Sequence, residues 1–278
     1  MKRALLIFCL LLSFPSEAAV SESTRSESTF PEPVTISRSL FAPDNARALQ
    51  ALLTQDLSGQ VAVFDADETL WSHDVGEGFF QWLIQHNHLQ VKTPDAGFFQ
   101  HYLNLCAKDK RIGYPYAAQA MAGLSEDRVR TLAAEYFDTF KHNIYPAQQK
   151  LIRQLQDAGA TVWIVSASNQ WIVEAAAPHF NVPLDKVVGI RVAVEKGQVT
   201  ERIVAPVTYR EGKVAAIQKY IGQQPVLVAG DSMTDYEMLQ YAKRVALVIN
   251  PKDKGPANAN IARLAREHRW LIQRWEKP

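Results

Sequence analysis

Four short apolar runs, separated by helical patterns, organise the chain. The runs are residues 61–64, 161–165, 225–229 and 245–249. They are shorter than helices and almost wholly apolar, which is typical of strands buried on both faces of a parallel sheet. Helical spacing of apolar positions marks residues 45–57, 146–158, 212–221 and 235–242. The alternation predicts an α/β fold with a doubly wound, Rossmann-like parallel sheet.

Residues at the ends of these segments favour the same division. Asp44 or Asn45 suits the start of the first helix. Pro146 suits a first helical turn, and Gly159 suits a helix end. Residues 195–198, Glu-Lys-Gly-Gln, indicate a hairpin turn between two short strands.

A long segment after the first predicted strand lacks strand patterns. Between Ser72 and Tyr145 the apolar residues recur three or four positions apart, as at Phe79, Trp82 and Leu83. We therefore predict a helical cap over residues 73–144, inserted into a core made of residues 41–72 and 145–278. Such a cap would cover the carboxyl edge of the sheet, where folds of this class bind ligands.

The first residues have the layout of an export signal. Lys2 and Arg3 precede the apolar residues 4–14, and the small residues Ala18 and Ala19 follow. The apolar run is shorter than the roughly 20 residues that span a bilayer. We predict a signal peptide over residues 1–19, cleaved near Ala18 or Ala19, then a flexible leader over residues 20–40 and a periplasmic or secreted protein. A buried N-terminal helix is the alternative.

Composition narrows the classes of partner. The 30 basic and 29 acidic side chains give a formal charge of +1, without the basic surplus of a generic nucleic-acid binder. A hydrophobic fraction of 47% is typical of a folded protein. We expect a small-molecule substrate, no nucleic acid and no stable membrane anchor. The oligomeric state stays open.

Polar residues follow three of the predicted strands. They are Asp65-Ala66-Asp67-Glu68-Thr69, then Ser166-Ala167-Ser168-Asn169, then Gly230-Asp231-Ser232-Met233-Thr234-Asp235. Because the carboxyl ends of parallel strands meet at one edge, these acids are expected to converge there. Crowded carboxylates repel one another and have raised pKa values, and their oxygens are the ligands that Mg²⁺ prefers. Lys213, at the start of a predicted helix, would add one positive charge.

These motifs, in this order, resemble the haloacid-dehalogenase-type phosphohydrolases over about residues 58–250. The resemblance implies a phosphatase that forms an aspartyl-phosphate. Asp65 would be the nucleophile, and Asp67 would serve as general acid and base. The Mg²⁺ ligands would be Asp65, Asp67 (through its backbone carbonyl), Asp231 and Asp235. The phosphate group would be bound by Thr69, Ser166 and Lys213. The insertion after the first strand resembles that of the phosphoserine phosphatase branch.

The predicted cap begins with two acids, Asp74 and Glu77, that would share one face of a helix. An acid combined with aromatic rings suits a quaternary ammonium group. The candidate aromatic residues are Trp71, Trp82, Tyr114 and Tyr116. The chain is similar to the secreted phosphorylcholine phosphatases in three places, namely Glu77, residues 112–125 and residues 206–208.

Three functions stay open. The resemblance implies an exported, Mg²⁺-dependent phosphomonoesterase acting on phosphorylcholine or a similar small amine ester. An enzyme of phosphoserine-like or broad range is the first alternative, although residues 167–168 and 232–234 lack the glycines that phosphoserine phosphatases favour. A protein that only captures its ligand is the second. Taken singly, Asp235 also suits a helix cap and Lys213 a solvated helix face.

Overall fold

A seven-stranded sheet runs through the part of the chain that the structure, a computed structural model, describes: Ile36 and residues 40–278. The strands are β1 Val61–Phe64, β2 Thr161–Asn169, β3 Val187–Glu195, β4 Gln198–Val204, β5 Leu227–Gly230, β6 Val245–Ile249 and β7 Leu271–Gln273. Their order across the sheet is β4-β3-β2-β1-β5-β6-β7. All neighbours pair in parallel except β3 and β4, which form an antiparallel hairpin.

Helices connect the strands. They are α1 Pro43–Leu53, α2 Val75–Gln85, α3 Phe98–Lys108, α4 Lys110–Gln119, α5 Glu126–Phe140, α6 Pro146–Asp157, α7 Gln170–Ala176, α8 Glu211–Ala216, α9 Tyr236–Gln240 and α10 Ile261–Glu267. A π-helical turn, Ile217–Ile221, continues α8. Short 3₁₀ turns lie at Lys141–Asn143, Ala177–Phe180, Leu184–Lys186 and Ala257–Ala259.

Strand β1 explains why the sheet is covered on both faces. All four of its residues are buried. Ala62 and Phe64 pack into one apolar cluster, whereas Val61 and Val63 pack into a second. Successive side chains of a strand point to opposite faces, so a wholly apolar strand requires helices on both sides. The predicted doubly wound α/β fold is confirmed.

The order of the strands places a switch point between β1 and β5. From β1 the chain adds β2 and β3 on one side, then returns to place β5 on the other. The register pairs Phe64 with Ala229, so both strands end at nearly the same height. Crevices at such points bind ligands in open α/β sheets.

The predicted elements agree with the structure at several boundaries. Strands β1 and β6 have the predicted limits, helix α6 begins at Pro146, and the hairpin turn joins β3 to β4. Strand β2 extends to Asn169, four residues beyond the predicted apolar run, because its polar end still pairs with β3. The strand β7 was not predicted, because its three residues are too few to show the apolar pattern of a strand.

Helices α2 to α5 form the insertion between β1 and α6 that the sequence predicts. The β3–β4 hairpin hydrogen-bonds to it. The Gly123 N–H donates to the Val199 carbonyl, and the Glu126 N–H donates to the Gly197 carbonyl, both at 2.9 Å. The division of the chain into a cap and a core domain at residues 73 and 144 therefore stays a prediction.

The predicted signal peptide (residues 1–19) and nearly all of the predicted leader (residues 20–40) lie outside the described residues. Among the helices that the structure describes, none combines the length and apolar character needed to cross a membrane.

Candidate active site

Three carboxylates meet at the switch point. Asp65 directly follows β1, Asp231 directly follows β5, and Asp235 lies four residues further on. One ligand oxygen from each lies within 4.8 Å of the others. The prediction that separate strands bring these acids to one edge is confirmed. Burial and the neighbouring carboxylate of Asp235 raise the pKa of Asp65 to about 7.

Lys213 is the positive charge of this cluster. It is fully buried in α8, and its Nζ donates to Asp65 Oδ1 and to Asp235 Oδ1, each at 2.5 Å. Burial opposes a charged ammonium, but the carboxylates of Asp235 and Asp65 outweigh it and raise the pKa of Lys213. The lysine is therefore an ammonium ion at neutral pH. The reading of Lys213 as a solvated helix lysine is wrong.

Asp235 fixes the loop after β5. Its Oδ2 accepts the N–H of Asp231 at 3.0 Å and the N–H of Ser232 at 3.3 Å. Gly230 makes this possible, because a Cβ there would lie 2.6 Å from the Asp235 Cβ. With Lys213 on its other oxygen, Asp235 connects the loop to the helix that carries the lysine.

Three donors hold Asp67. Oδ1 accepts the backbone N–H of Val75 at 2.7 Å and the indole N–H of Trp71 at 2.9 Å. Oδ2 accepts the hydroxyl of Ser168 at 2.6 Å. Burial and the carboxylate of Asp74 raise the pKa of Asp67 to about 7 despite these donors. Near neutral pH the group thus exists in both protonation states.

Thr69 and Ser166, which the sequence assigns to the phosphate group, are fully buried. The Thr69 hydroxyl donates to Asp65 Oδ2 at 3.2 Å, so it orients that carboxylate. The Ser166 Oγ accepts the N–H of Ser168 at 3.0 Å. Both lie behind the surface of the cavity, as Lys213 does, and their direct contact with a phosphate group stays a prediction.

A cavity of about 290 Å³ opens over the acid cluster. The core contributes Asp65, Asp67, Asp231 and Ser232 to its wall, and the inserted helices contribute Asp74, Glu77, Tyr102 and Tyr114. The sequence predicted Asp74, Glu77 and Tyr114 here. Asp74 caps helix α2 by accepting the N–H of Glu77 at 2.7 Å. The surrounding walls and Glu77 raise its pKa to about 6.

The structure places two of the predicted substrate residues outside the wall of this cavity. Trp71 is fully buried among Phe137, Phe140 and Phe180, and its only polar atom is used on Asp67. Tyr116 lines a different hollow, where its ring packs against His101. Trp82 is also absent from the cavity wall and packs against Phe79.

The cavity wall also contains residues that the sequence did not assign to the site, among them Ser168, Tyr102, Lys110 and Lys252. Tyr102 belongs to the helical pattern of α3, which does not reveal the side it faces. Lys110 lies with its Nζ 5.4 Å from the centre of the Tyr114 ring. Burial raises the pKa of both Tyr102 and Tyr114, so their rings remain neutral.

The donor set fits a hard divalent cation. Asp65, Asp231 and Asp235 offer only oxygen atoms. When ionised, their three negative charges exceed the single positive charge of Lys213 by two, which a divalent ion would balance. Burial and the neighbouring carboxylates raise the pKa of Asp231 well above its ordinary value, and the same crowding would favour a bound cation.

The chain belongs to the haloacid dehalogenase-like hydrolase family, whose model matches residues 62–240, from β1 to the end of α9. It is similar to a phosphorylcholine phosphatase from Pseudomonas aeruginosa, at 25% identity over 253 residues that cover 67% of this chain and 72% of the relative. It is also similar to a histidinol-phosphatase from Neisseria meningitidis serogroup C, at 23% identity over 228 residues, with 76% and 97% covered. With this site and these relatives, the protein is a phosphoric monoester hydrolase.

Solved structures share the fold. A functionally unknown protein from Anaerococcus prevotii superposes with a TM-score of 0.68 at 17% identity, covering 87% of this chain and 94% of that one. A phosphoserine phosphohydrolase-like protein from Francisella tularensis superposes with a TM-score of 0.50 at 17% identity, covering 75% and 98%. The architecture of this chain is thus one that a phosphoserine phosphohydrolase-like protein also adopts.

Proposed function

We propose that this phosphatase is an exported, Mg²⁺-dependent enzyme that hydrolyses phosphorylcholine or a similar small amine phosphate ester through an aspartyl-phosphate. One observation carries the proposal. A single cavity of about 290 Å³ has the acid cluster on its core wall and Asp74, Glu77, Tyr102 and Tyr114 on its opposite wall. With a divalent cation bound to its acids, the first wall would suit a phosphate group, and the second suits a cation.

Asp65 is the nucleophile in this mechanism. Its carboxylate oxygen forms a bond to phosphorus while the bond between phosphorus and the ester oxygen breaks. Asp67 gives its proton to the departing alkoxide oxygen, which leaves as a neutral hydroxyl group. Water then attacks the phosphorus atom of the aspartyl-phosphate and gives a proton to Asp67. This step releases phosphate and restores the Asp65 carboxylate.

Buried charges prepare Asp65 for this attack. Lys213 and Thr69 hold the two oxygens of the carboxylate, which limits its rotation. Asp65, Asp231 and Asp235 would hold Mg²⁺. When bound, the ion supplies positive charge that neutralises the phosphoryl oxygens. The pKa of Asp67, raised to about 7, gives it a proton to donate at neutral pH.

The cap wall supports a cationic substrate. Asp74 and Glu77 provide negative charge, and the neutral rings of Tyr102 and Tyr114 provide π faces. The Tyr114 ring already has an ammonium, that of Lys110, near its face. The similarity to a phosphorylcholine phosphatase supports a quaternary ammonium ester, and the similarity to a histidinol-phosphatase supports other amine esters.

A substrate panel tests the proposal. Phosphorylcholine, phosphoethanolamine, histidinol phosphate, phosphoserine and glycerol phosphate are compared by kcat/KM, with Mg²⁺ and after its removal with EDTA. We expect metal-dependent turnover with the cationic esters ahead of glycerol phosphate. A flat ranking indicates a broad-range phosphatase, and binding without release of phosphate indicates a capture protein.

Export is tested separately in a bacterial host. The full chain and a chain without residues 1–19 are compared by cell fractionation. Lys2, Arg3 and the apolar residues 4–14 support the expectation that only the full chain leaves the cytoplasm.

A further inference from the structure

Ser168, a residue with no role in the mechanism above, hydrogen-bonds directly to Asp67. Ser168, near the end of β2, is almost fully buried and lines the cavity. Its hydroxyl donates to Asp67 Oδ2 at 2.6 Å, and its backbone N–H donates to the Ser166 Oγ at 3.0 Å. The second bond restrains the backbone of Ser168 and thereby the origin of its side chain.

Helix α2 is shaped to accept this contact. A Cβ at Gly76 would lie 2.2 Å from the Ser168 Oγ and 2.8 Å from the Ser168 Cβ. Contacts under about 3.0 Å do not occur between such atoms without a shift. The residue just before it, Val75, donates its N–H to Asp67 Oδ1. The first turn of α2 thus binds one oxygen of Asp67 and leaves space for the donor to the other.

The two oxygens of Asp67 are therefore not equivalent. Two N–H groups, from Trp71 and Val75, occupy Oδ1, and neither can accept a proton in return. The Ser168 hydroxyl donates to Oδ2 and uses one of its two lone pairs, so the second lone pair of Oδ2 is the position on Asp67 that can carry a proton toward a ligand. Ser168 is the only group among the described residues that hydrogen-bonds this oxygen.

We propose that Ser168 is a positioning residue that directs Oδ2 of Asp67, and the proton on it, toward the oxygen of the leaving alcohol. The inference rests on the proposed function, because it assigns a supporting role in its acid step. In this role Ser168 accelerates cleavage of the ester bond most for leaving groups that are strongly basic, because these depend most on receiving a proton from Asp67.

Substituted phenyl phosphates measure this dependence on leaving-group basicity. They are similar in shape and differ in the basicity of the phenolate that leaves. We expect Ser168→Ala to lower kcat/KM for phenyl phosphate by about 30-fold and for p-nitrophenyl phosphate by no more than about threefold, since mispositioning loses only part of the ~10²- to 10⁴-fold that general acid catalysis contributes. A plot of log kcat/KM against the pKa of the leaving phenol should therefore be steeper for Ser168→Ala than for the wild type. KM for p-nitrophenyl phosphate stays near the wild-type value.

Two further variants complete the experiment. Gly76→Ala keeps the Ser168 hydroxyl but displaces it, and it should steepen the same plot. Ser72→Ala is the matched control: this buried hydroxyl donates to Asn143 Oδ1 at 3.3 Å and not to Asp67, and we expect an unchanged slope. Thermal unfolding confirms that each variant is folded.

The result separates the two proposals. An equal loss for all phenyl esters in Ser168→Ala, or no loss at all, overturns the positioning role while leaving the phosphatase mechanism intact. Failure of the mechanism itself would instead appear as turnover that survives the removal of the Asp65 carboxylate.

Discussion

The two walls of the cavity hold their acids in different ways. On the core wall, Asp65 is 4% exposed and pairs with Lys213, which also holds the fully buried Asp235. On the cap wall, Asp74 and Glu77 remain accessible to solvent, and described lysines or arginines form no ion pair with either. The core wall fixes its charges before a substrate arrives, whereas the cap wall leaves negative charge free for a ligand.

This difference suggests that the core wall carries out the reaction and that the cap wall selects the substrate. Removing a charge from the core wall should affect every substrate, because the reacting phosphate is common to all of them. Removing a charge from the cap wall should affect only substrates that carry a cation. Each variant below tests one side of that division.

The largest effect is expected for Asp65→Asn. An amide oxygen is a poor nucleophile toward phosphorus, and we expect kcat to fall by about 10⁴-fold or more for cationic and neutral esters alike. Release of inorganic phosphate measures it. Equal activity in the variant and the wild type would remove Asp65 from the mechanism.

A smaller and selective effect is expected for Glu77→Gln. The loss of one negative charge near the substrate ammonium should raise KM for phosphorylcholine about tenfold, the equivalent of ~1.4 kcal/mol. KM for p-nitrophenyl phosphate should not change. An equal rise for both esters would contradict a cation site on the cap wall.

The pH dependence of selectivity comes next. The surrounding cavity walls raise the pKa of Asp74 to about 6, so the carboxyl loses its charge as pH falls below that value. We expect the ratio of KM for phosphorylcholine to KM for p-nitrophenyl phosphate to rise several-fold between pH 7 and pH 5. The ratio removes the pH dependence of the enzyme groups that act on both esters.

Asp74→Asn is the control for this measurement. Asparagine caps a helix as well as aspartate does, so the start of α2 is kept while the titrating group is lost. A pH-dependent ratio that persists in this variant would exclude Asp74 as its source. Since the folded pKa is raised from 3.8, Asp74 ionises less readily in the folded protein, and its contribution to the free energy of unfolding decreases as pH rises from about 4 to 6.

The smallest effect is expected for Lys110→Met. The lysine places its own ammonium 5.4 Å from the centre of the Tyr114 ring. Its removal frees that ring face, and KM for phosphorylcholine should fall about two- to fivefold, as for an exposed cation–π contact. Lys252→Met, which removes a cavity lysine with no ring contact in the described structure, is the matched control. A rise in KM for all esters would assign Lys110 to phosphate binding instead.

The core wall was predictable from the sequence because its residues occupy fixed places after strands. Asp65 and Asp231 each follow an apolar run, and the topology of a parallel sheet brings such ends together. Lys213 was identified through the order of the motifs. Its burial and its ion pairs with Asp65 and Asp235 depend on how α8 packs against the sheet, and no local sequence pattern predicts that packing.

The cap wall was only partly predictable, for a geometric reason. Tyr114 and Tyr116 are two positions apart on α4, so they point about 200° apart around the helix, and one cavity cannot receive both. Trp71 lies four residues after Asp67, yet the turn between them directs its indole inward to the carboxylate. The contact of Ser168 with Gly76 joins residues 92 positions apart, and sequence spacing alone does not reveal it.

The pairing of β1 with β5 has a consequence for the tolerance of this protein to change. The Asp65 N–H donates to the Ala229 carbonyl at 2.9 Å, so the nucleophile is itself joined to the neighbouring strand. The gap between Asp65 and Asp231 is thus set by the fixed separation of adjacent main chains, and a slip of one residue would turn Asp65 to the opposite side of the sheet. Insertions in peripheral loops can accumulate without altering that gap, whereas a single deletion inside either strand is expected to abolish turnover even though every acid is still encoded.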